Sequence, residues 1–268
     1  MQKTIFITGA SSGVGKAAAM MFQSNGWKVI ATMRSPEKET ELTVLENVTV
    51  LKLDVSEPVQ IRELVAEVLA EFTVDVVLNN AGYGLIGIFE AFEDAQLIRQ
   101  IDTNLLGVIR VTKEFTPYFR QRQQGMFINV SSMVGLFGFP TSSVYVATKF
   151  AIDGFSESIA YELANFGVQV KIIAPGGITT DFAGRSLDTA GHEAYEKLSA
   201  KVMEGYSPEN ARLFSTAEEI AGTIYEAAND GKVQLRYIAG RDAEAIIGER
   251  TEIGSEAHYQ KLRSKFVF

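Results

Sequence analysis

An apolar run, Thr4-Ile5-Phe6-Ile7-Thr8, passes directly into a glycine turn, Gly9-Ala10-Ser11-Ser12-Gly13-Val14-Gly15, and then into an amphipathic stretch reaching Asn25. Strand, glycine turn and helix in immediate succession point to an α/β architecture in which a buried parallel strand feeds a crossover helix. The same arrangement suits a dinucleotide pyrophosphate. Gly9, Gly13 and Gly15 let the backbone approach phosphate oxygens, and the helix start around Ser12 and Val14 supplies N–H donors and a partial positive charge. A triphosphate loop of the GxxxxGK[ST] type does not fit. Five residues separate Gly9 from Gly15, and Ala17 stands where a magnesium-binding Ser or Thr would follow Lys16.

The pattern then repeats. Short Val- and Ile-rich runs at Lys28–Thr32, Val48–Lys52, Val74–Asn79, Met126–Val130 and Gln169–Ala174 alternate with helical patterns near Gly13–Asn25, Glu57–Phe72, Asp94–Gln121 and Ser142–Phe166. Runs apolar on both faces imply a parallel sheet covered on both sides, joined by right-handed crossovers. A last strand at Val233–Ile238 closes one edge. The expectation is one doubly wound α/β domain over residues 1–268, with about seven mostly parallel strands flanked by helices. Residues 182–214 interrupt the alternation, and Tyr195, Leu198 and Val202 there share one helical face. A small helical lid before the last strand is expected from them, because ligands of open α/β sheets bind beyond the carboxyl ends of the strands.

Composition removes other chemistries. The 268 residues include no cysteine and only two histidines, His192 and His258. A disulfide framework, a thiol nucleophile and a Cys-based zinc site are excluded, and no metal is expected. The charge of −8 argues against a nucleic-acid partner, and no apolar run approaches the length of a membrane span. The first residues enter a strand at once, so the expected compartment is the reducing cytoplasm.

The second strand ends at Thr32-Met33-Arg34-Ser35. An NAD site puts a carboxylate here for the ribose 2′-hydroxyl. None is present. Arg34 can instead make charge-assisted contacts to a 2′-phosphate, with Ser11 as a neutral donor and Lys16 as a possible helper, so NADP(H) is the expected cofactor.

Four further clusters stand at carboxyl ends of later strands or open a helix: Asn79-Asn80-Ala81-Gly82, Asn129-Val130-Ser131-Ser132, Tyr145-Val146-Ala147-Thr148-Lys149 and Pro175-Gly176-Gly177-Ile178-Thr179-Thr180. With the glycine turn, these motifs resemble the short-chain dehydrogenase/reductase family over nearly the whole chain, and Ser11 with the Ala31-Thr32-Met33-Arg34 segment resembles its NADP-using 17β-hydroxysteroid and retinol dehydrogenase-like members. The resemblance implies a Rossmann-type fold and hydride transfer between nicotinamide and a carbonyl or alcohol. It implies Tyr145 as acid/base, Ser132 as the group that orients the substrate oxygen, Lys149 as holder of the nicotinamide ribose, and Asn104 as support for a proton path. Tyr145 and Lys149, four residues apart, project from one helix face. A nearby ammonium and an oxidised nicotinamide would both bring the Tyr145 pKa down from its ordinary ~10. Ser131 and Ser132 alternate along a strand, so only one of them should reach.

The cofactor shell implied by the resemblance comprises Gly9, Ser11, Ser12, Gly13, Val14, Gly15, Arg34, Asp54, Val55, Asn80, Ala81, Gly82, Tyr145, Lys149, Pro175, Gly176, Ile178 and Thr180. Asp54 and Val55 would contact adenine, and Ile178 and Thr180 the carboxamide. Candidate substrate-lining groups are Tyr83, Val134, Leu136, Phe137, Phe182 and the Tyr195, Leu198, Val202 face. All are apolar or aromatic, as a hydrophobic carbonyl or alcohol requires. The alternative from another class is a non-catalytic NADP(H) sensor, which would have no chemical need for Tyr145 or Lys149. Apolar residues on several faces of the third and fourth helical patterns, Leu105, Leu106, Val108 and Ile109 with Phe150, Phe155 and Ile159, suggest a homodimer or homotetramer.

Overall fold

The structure, a computed structural model, describes residues 2–179, 187–207 and 209–268. Among these residues the strands are β1 (Thr4–Thr8), β2 (Lys28–Met33), β3 (Val48–Lys52), β4 (Val76–Asn79), β5 (Gly84–Gly87), β6 (Gly125–Val130), β7 (Val168–Pro175), β8 (Leu187–Ala190) and β9 (Arg236–Ala239). Seven form one sheet in the order β3-β2-β1-β4-β6-β7-β9, every neighbour parallel, while β5 and β8 pair separately. The order runs outward from β1 in both directions. A crevice therefore opens beyond the carboxyl ends of β1 and β4, where the winding reverses. This is one doubly wound, Rossmann-like domain.

The helices are α1 (Gly13–Ser24), α2 (Pro58–Glu71), α3 (Asp94–Ile101), α4 (Gly107–Arg122), α5 (Ser143–Ala164), α6 (Glu196–Glu204), α7 (Ala217–Asn229), α8 (Arg241–Ile253) and α9 (Ser255–Phe266). They cover both faces of the sheet. Along β1, Ile5 and Ile7 pack towards α1 and α7, and Phe6 packs towards α2 and α4, with its ring 5.0 Å from that of Phe115. Alternate residues thus enter different core layers, which is why the strand is apolar throughout. No helix among the described residues is long and apolar enough to cross a membrane.

Two expectations need correction. The helix expected over Asp94–Gln121 is two helices joined by a π-helical turn, Asp102–Leu106, where the Gly107 N–H bonds to the Asp102 carbonyl. The extra residue per turn leaves no trace in apolar periodicity. The last strand begins at Arg236, where pairing with Ile172 of β7 starts, and Val233 is exposed. The region expected as a lid contributes β8 and α6, while residues 182–186 and Pro208 lie outside the described residues.

Lys171 of β7 is 1% exposed, yet its ammonium is satisfied by the Ala227 carbonyl at 2.7 Å, Tyr237 Oη at 3.0 Å and the Asp230 carboxylate at 2.7 Å. It joins the carboxyl end of α7, where a cation is favoured, to β9. Lys171→Ala strands a buried carboxylate, so a loss of about 3–5 kcal/mol is expected. Thermal unfolding at neutral pH should show a Tm lower by roughly 6–20 °C. An unchanged Tm would show that Asp230 finds solvent without help.

Candidate active site

Thr8, at the end of β1, holds the glycine turn in place. Its hydroxyl accepts from the backbone N–H groups of Asn80 and Ala81, each at 3.0 Å, and the Asn80 side-chain amide donates to the Thr8 and Gly9 carbonyls, again at 3.0 Å. Gly15 packs under this brace: a Cβ there would lie 2.3 Å from the Gly9 carbonyl oxygen and 2.4 Å from Asn80 Nδ2. Gly13 has φ +52° and open space where a Cβ would project. The start of α1 also carries no side-chain cap. Its first N–H groups are available for an anion, as a pyrophosphate needs.

The turn forms one wall of a cleft of about 650 Å³, within the size range of ligand sites. Gly9, Ser11, Ser12, Gly13 and Val14 line it at one side, and Tyr145, Lys149, Pro175 and Ile178 at the inner end. Ser132 Oγ accepts from the Val134 N–H at 3.3 Å and is the hydrogen-bond partner of the Tyr145 phenol. Ser131 turns the other way, donating to the buried Asp153 carboxylate, which also holds Arg236 Nε at 2.8 Å. The strand alternation thus sends one serine to Tyr145 and the other into the α5 core.

Lys149 is buried and donates to the Val130 carbonyl at 2.9 Å, with its ammonium 5.5 Å from the centre of the Tyr145 ring. Burial brings its pKa down to about 8 against the opposing Asp153 charge. Burial also pushes the Tyr145 phenol up to about 12, outweighing the Ser132 hydrogen bond, and Tyr206 adds to the rise. The expected lowering of the Tyr145 pKa by Lys149 is therefore absent in this arrangement. The ammonium spends its hydrogen bond on the Val130 carbonyl rather than on the phenol. Tyr206 acts on the site from a segment that no sequence motif marks.

Asn104 lies in the π-helical turn. Both ends of its side chain are committed to the Tyr83 backbone, Oδ1 accepting from the N–H at 3.0 Å and Nδ2 donating to the carbonyl at 2.8 Å. The side chain fixes the segment after Gly82.

At the outer end, Arg34 is exposed on the cleft beside Met33. Lys16 is withdrawn from it, paired with Glu39 at 3.2 Å and Glu41 at 2.8 Å. Asp54 and Val55 line the adjoining wall. One Asp54 oxygen closes a turn onto the Ser56 N–H at 3.0 Å and Oγ at 2.7 Å. Ala81 and Gly82 line the cleft as well, whereas Gly176 packs behind Pro175, its N–H on the Ala239 carbonyl at 2.9 Å. Thr180 and Phe182 lie outside the described residues.

Of the substrate candidates, Tyr83 faces the cleft, but Val134 and Phe137 are buried away from it and Leu136 is half-buried. The Tyr195, Leu198, Val202 face does not line it. Val202 is buried and Tyr195 is exposed, because the face packs towards α9. The cleft edge is formed instead by Leu187 and Asp188 of β8. Asp188 is fastened to α3 by Arg99 at 2.9 Å and Gln96 at 2.7 Å. No sequence pattern announced that clasp.

The chain that builds this cleft is similar to known proteins over most of its length. The family model described as short chain dehydrogenase matches residues 3–191. The chain belongs to the short-chain dehydrogenase family. This short-chain dehydrogenase is 35% identical over 258 residues to oxidoreductase BOA17 of Botryotinia fuckeliana, covering 94% of both chains. Over 283 residues it is 33% identical to human retinol dehydrogenase 8, covering 99% of this chain and 90% of that one. A short-chain dehydrogenase from Streptomyces avermitilis superposes with a TM-score of 0.82 at 31% identity, covering 94% of this chain and 95% of that one. ElxO, solved with NADP bound, gives 0.74 at 28% identity, covering 89% and 98%. The short-chain dehydrogenase is accordingly an oxidoreductase of CH–OH and C=O groups.

Proposed function

We propose that the protein is an NADPH-dependent reductase of hydrophobic ketones or aldehydes, able to run in reverse on the corresponding alcohols. The observation that carries this reading is a single cleft with Tyr145 and Lys149 at its inner end, Ser132 beside the Tyr145 phenol, an uncapped helix start along one wall and Arg34 at its outer end. Bound NADPH supplies the hydride that reaches the carbonyl carbon. Tyr145 gives its phenolic proton to the carbonyl oxygen, and Ser132 donates a hydrogen bond to the same oxygen. A phenol held protonated at neutral pH is the form that reduction requires. Lys149 exchanges the Val130 carbonyl for the nicotinamide ribose hydroxyls. Asn104 acts through the Tyr83 backbone. Among the described residues of the expected lid, Leu187 and Asp188 bound the substrate side of the cleft, and the clasp of Asp188 on α3 supports that part of the reading.

Titration of the protein with NADPH beside NADH tests the cofactor, followed by turnover on hydrophobic aldehydes and ketones. Preferential NADPH binding with turnover supports the reading. NADPH binding without turnover of any carbonyl would favour the sensor alternative. The pKa of Lys149, about 8, adds a pH dependence. Its charged form binds the ribose, so it is protonated below pH 8 and NADPH affinity should be constant there. Above pH 8 affinity should fall, by up to about tenfold per pH unit. A Kd that stays flat to pH 10 would remove Lys149 from the site.

The protein also forms a homo-oligomer in this reading. Ile98 and Ile101 of α3 and Phe150 and Tyr161 of α5 are exposed apolar groups, between 40% and 71% accessible. Phe150→Glu should shift sedimentation towards the monomer. No change would place the contact elsewhere.

A further inference from the structure

A second hollow, of about 510 Å³, lies apart from the catalytic cleft and shares no lining residue with it. Phe137, Phe139 and Pro140 from the loop after Ser132 form one side, and Leu262 and Phe266 of α9 the other. The Phe139 and Phe266 rings meet at 5.5 Å. Ser143 and Val146 of α5 complete the lining. At 3.6 residues per turn they sit about a third of a turn away from the helix face that bears Tyr145 and Lys149. The hollow thus backs onto the active-site helix without opening into its chemistry.

The lining is mostly apolar but includes two cations, Arg250 of α8 and Arg263 of α9. Arg250 makes one long bond, to the Ser255 carbonyl at 3.4 Å. Among the described residues the Arg263 guanidinium has no hydrogen-bond or ion-pair partner. Between them His258 is 2% exposed, its ring edge-on to Phe137 at 5.2 Å, and its Nδ1 has no partner among the described residues. The nearby carboxylate, Glu249, is paired with Lys261. Burial, then Arg250, Lys261 and Lys265, hold the His258 pKa below its ordinary value, with Glu249 opposing. Three cations, Arg250, Lys261 and Lys265, act on His258 against one carboxylate, Glu249.

An apolar trough, two guanidinium groups without a carboxylate partner and a buried unmatched imidazole nitrogen together complement an amphipathic anion. Guanidinium groups bind carboxylates through charge-assisted bonds, often two at once. We propose that this hollow binds a free long-chain aliphatic carboxylate, its chain against Phe137, Phe139 and Leu262 and its head group at Arg250 and Arg263. The site stands apart from hydride transfer and does not depend on the cofactor assignment.

Calorimetric titration of the full chain with dodecanoate below its micelle threshold tests this directly. The expected result is saturable one-to-one binding, at least about tenfold tighter than that of uncharged dodecanol, a difference of ~1.4 kcal/mol. Arg250→Gln combined with Arg263→Gln should erase that preference, and Leu262→Trp should block both ligands by filling the trough. Both variants should keep the NADPH affinity of the parent protein. Equal binding of dodecanoate and dodecanol would overturn the proposal, as would binding that survives Leu262→Trp or is displaced by NADPH. No binding at all overturns it too. If that chain also sediments as a dimer that Leu262→Trp dissociates, the hollow belongs to a second copy of the chain.

Discussion

Tyr145→Phe is expected to reduce kcat by about 10²–10⁴-fold, the range associated with removing a general acid. The substitution deletes one oxygen. The ring that the Lys149 ammonium overlies at 5.5 Å remains, so the walls of the cleft keep their shape. NADPH affinity should accordingly stay within about tenfold, or ~1.4 kcal/mol. Ser132 loses its phenol partner but keeps the Val134 N–H at 3.3 Å, which limits any rearrangement of the strand end. Single-turnover rates and a parallel binding titration separate the two effects. Retained turnover would reject Tyr145 as the proton donor, whereas lost NADPH binding would show that the phenol supports the cleft rather than the reaction.

Arg34→Asp should reverse the cofactor preference, with a combined change in the NADPH to NADH affinity ratio on the order of 10²-fold or more. Two effects add. A charge-assisted bond to the 2′-phosphate, worth roughly 1.5–3 kcal/mol, is removed. A carboxylate then repels that phosphate while accepting from a free 2′-hydroxyl. Arg34 is exposed, so the substitution disturbs no core packing and the comparison is clean. Lys16 cannot substitute for it, since Glu39 and Glu41 already hold its ammonium. An unchanged ratio would move the phosphate site to another part of the cleft, where Arg99 is the other guanidinium in the lining.

The sheet was legible because both of its faces are covered. TIFIT is buried at every position and apolar between its two threonines, and a glycine turn marks its end. The inner end of the site was legible for a related reason. Tyr145 and Lys149 sit on one helix and Ser132 ends one strand, so local periodicity sets their directions. What depended on contacts across the chain was not legible. The hold of Asn104 on Tyr83, the clasp of Asp188 by Arg99 and the turn of Lys149 towards Val130 each join segments with no shared pattern. The π-helical turn before α4 changes hydrogen bonding without changing composition. Beyond residue 214 the apolar pattern marks one strand and none of α7, α8 and α9. For α7 a signal existed, the Thr216 and Glu219 capping box. For α9 there was little, since His258 is its one buried residue.

The brace on the glycine turn has a consequence for biosynthesis. The turn ends at Gly15, but the Asn80 amide that fixes it to Thr8 comes from 72 residues further along the chain. A nascent chain that has released only β1, α1 and β2 carries every glycine of the turn and the Ala10 to Thr32 bond, but not the Asn80 brace. β4 must also emerge and dock beside β1 before the turn acquires its shape, and contacts of such long sequence separation form late because loop closure costs entropy first. A dinucleotide therefore cannot template the early steps of folding. It can only stabilise a sheet already half assembled, and its protection against unfolding or proteolysis begins after synthesis has passed that point.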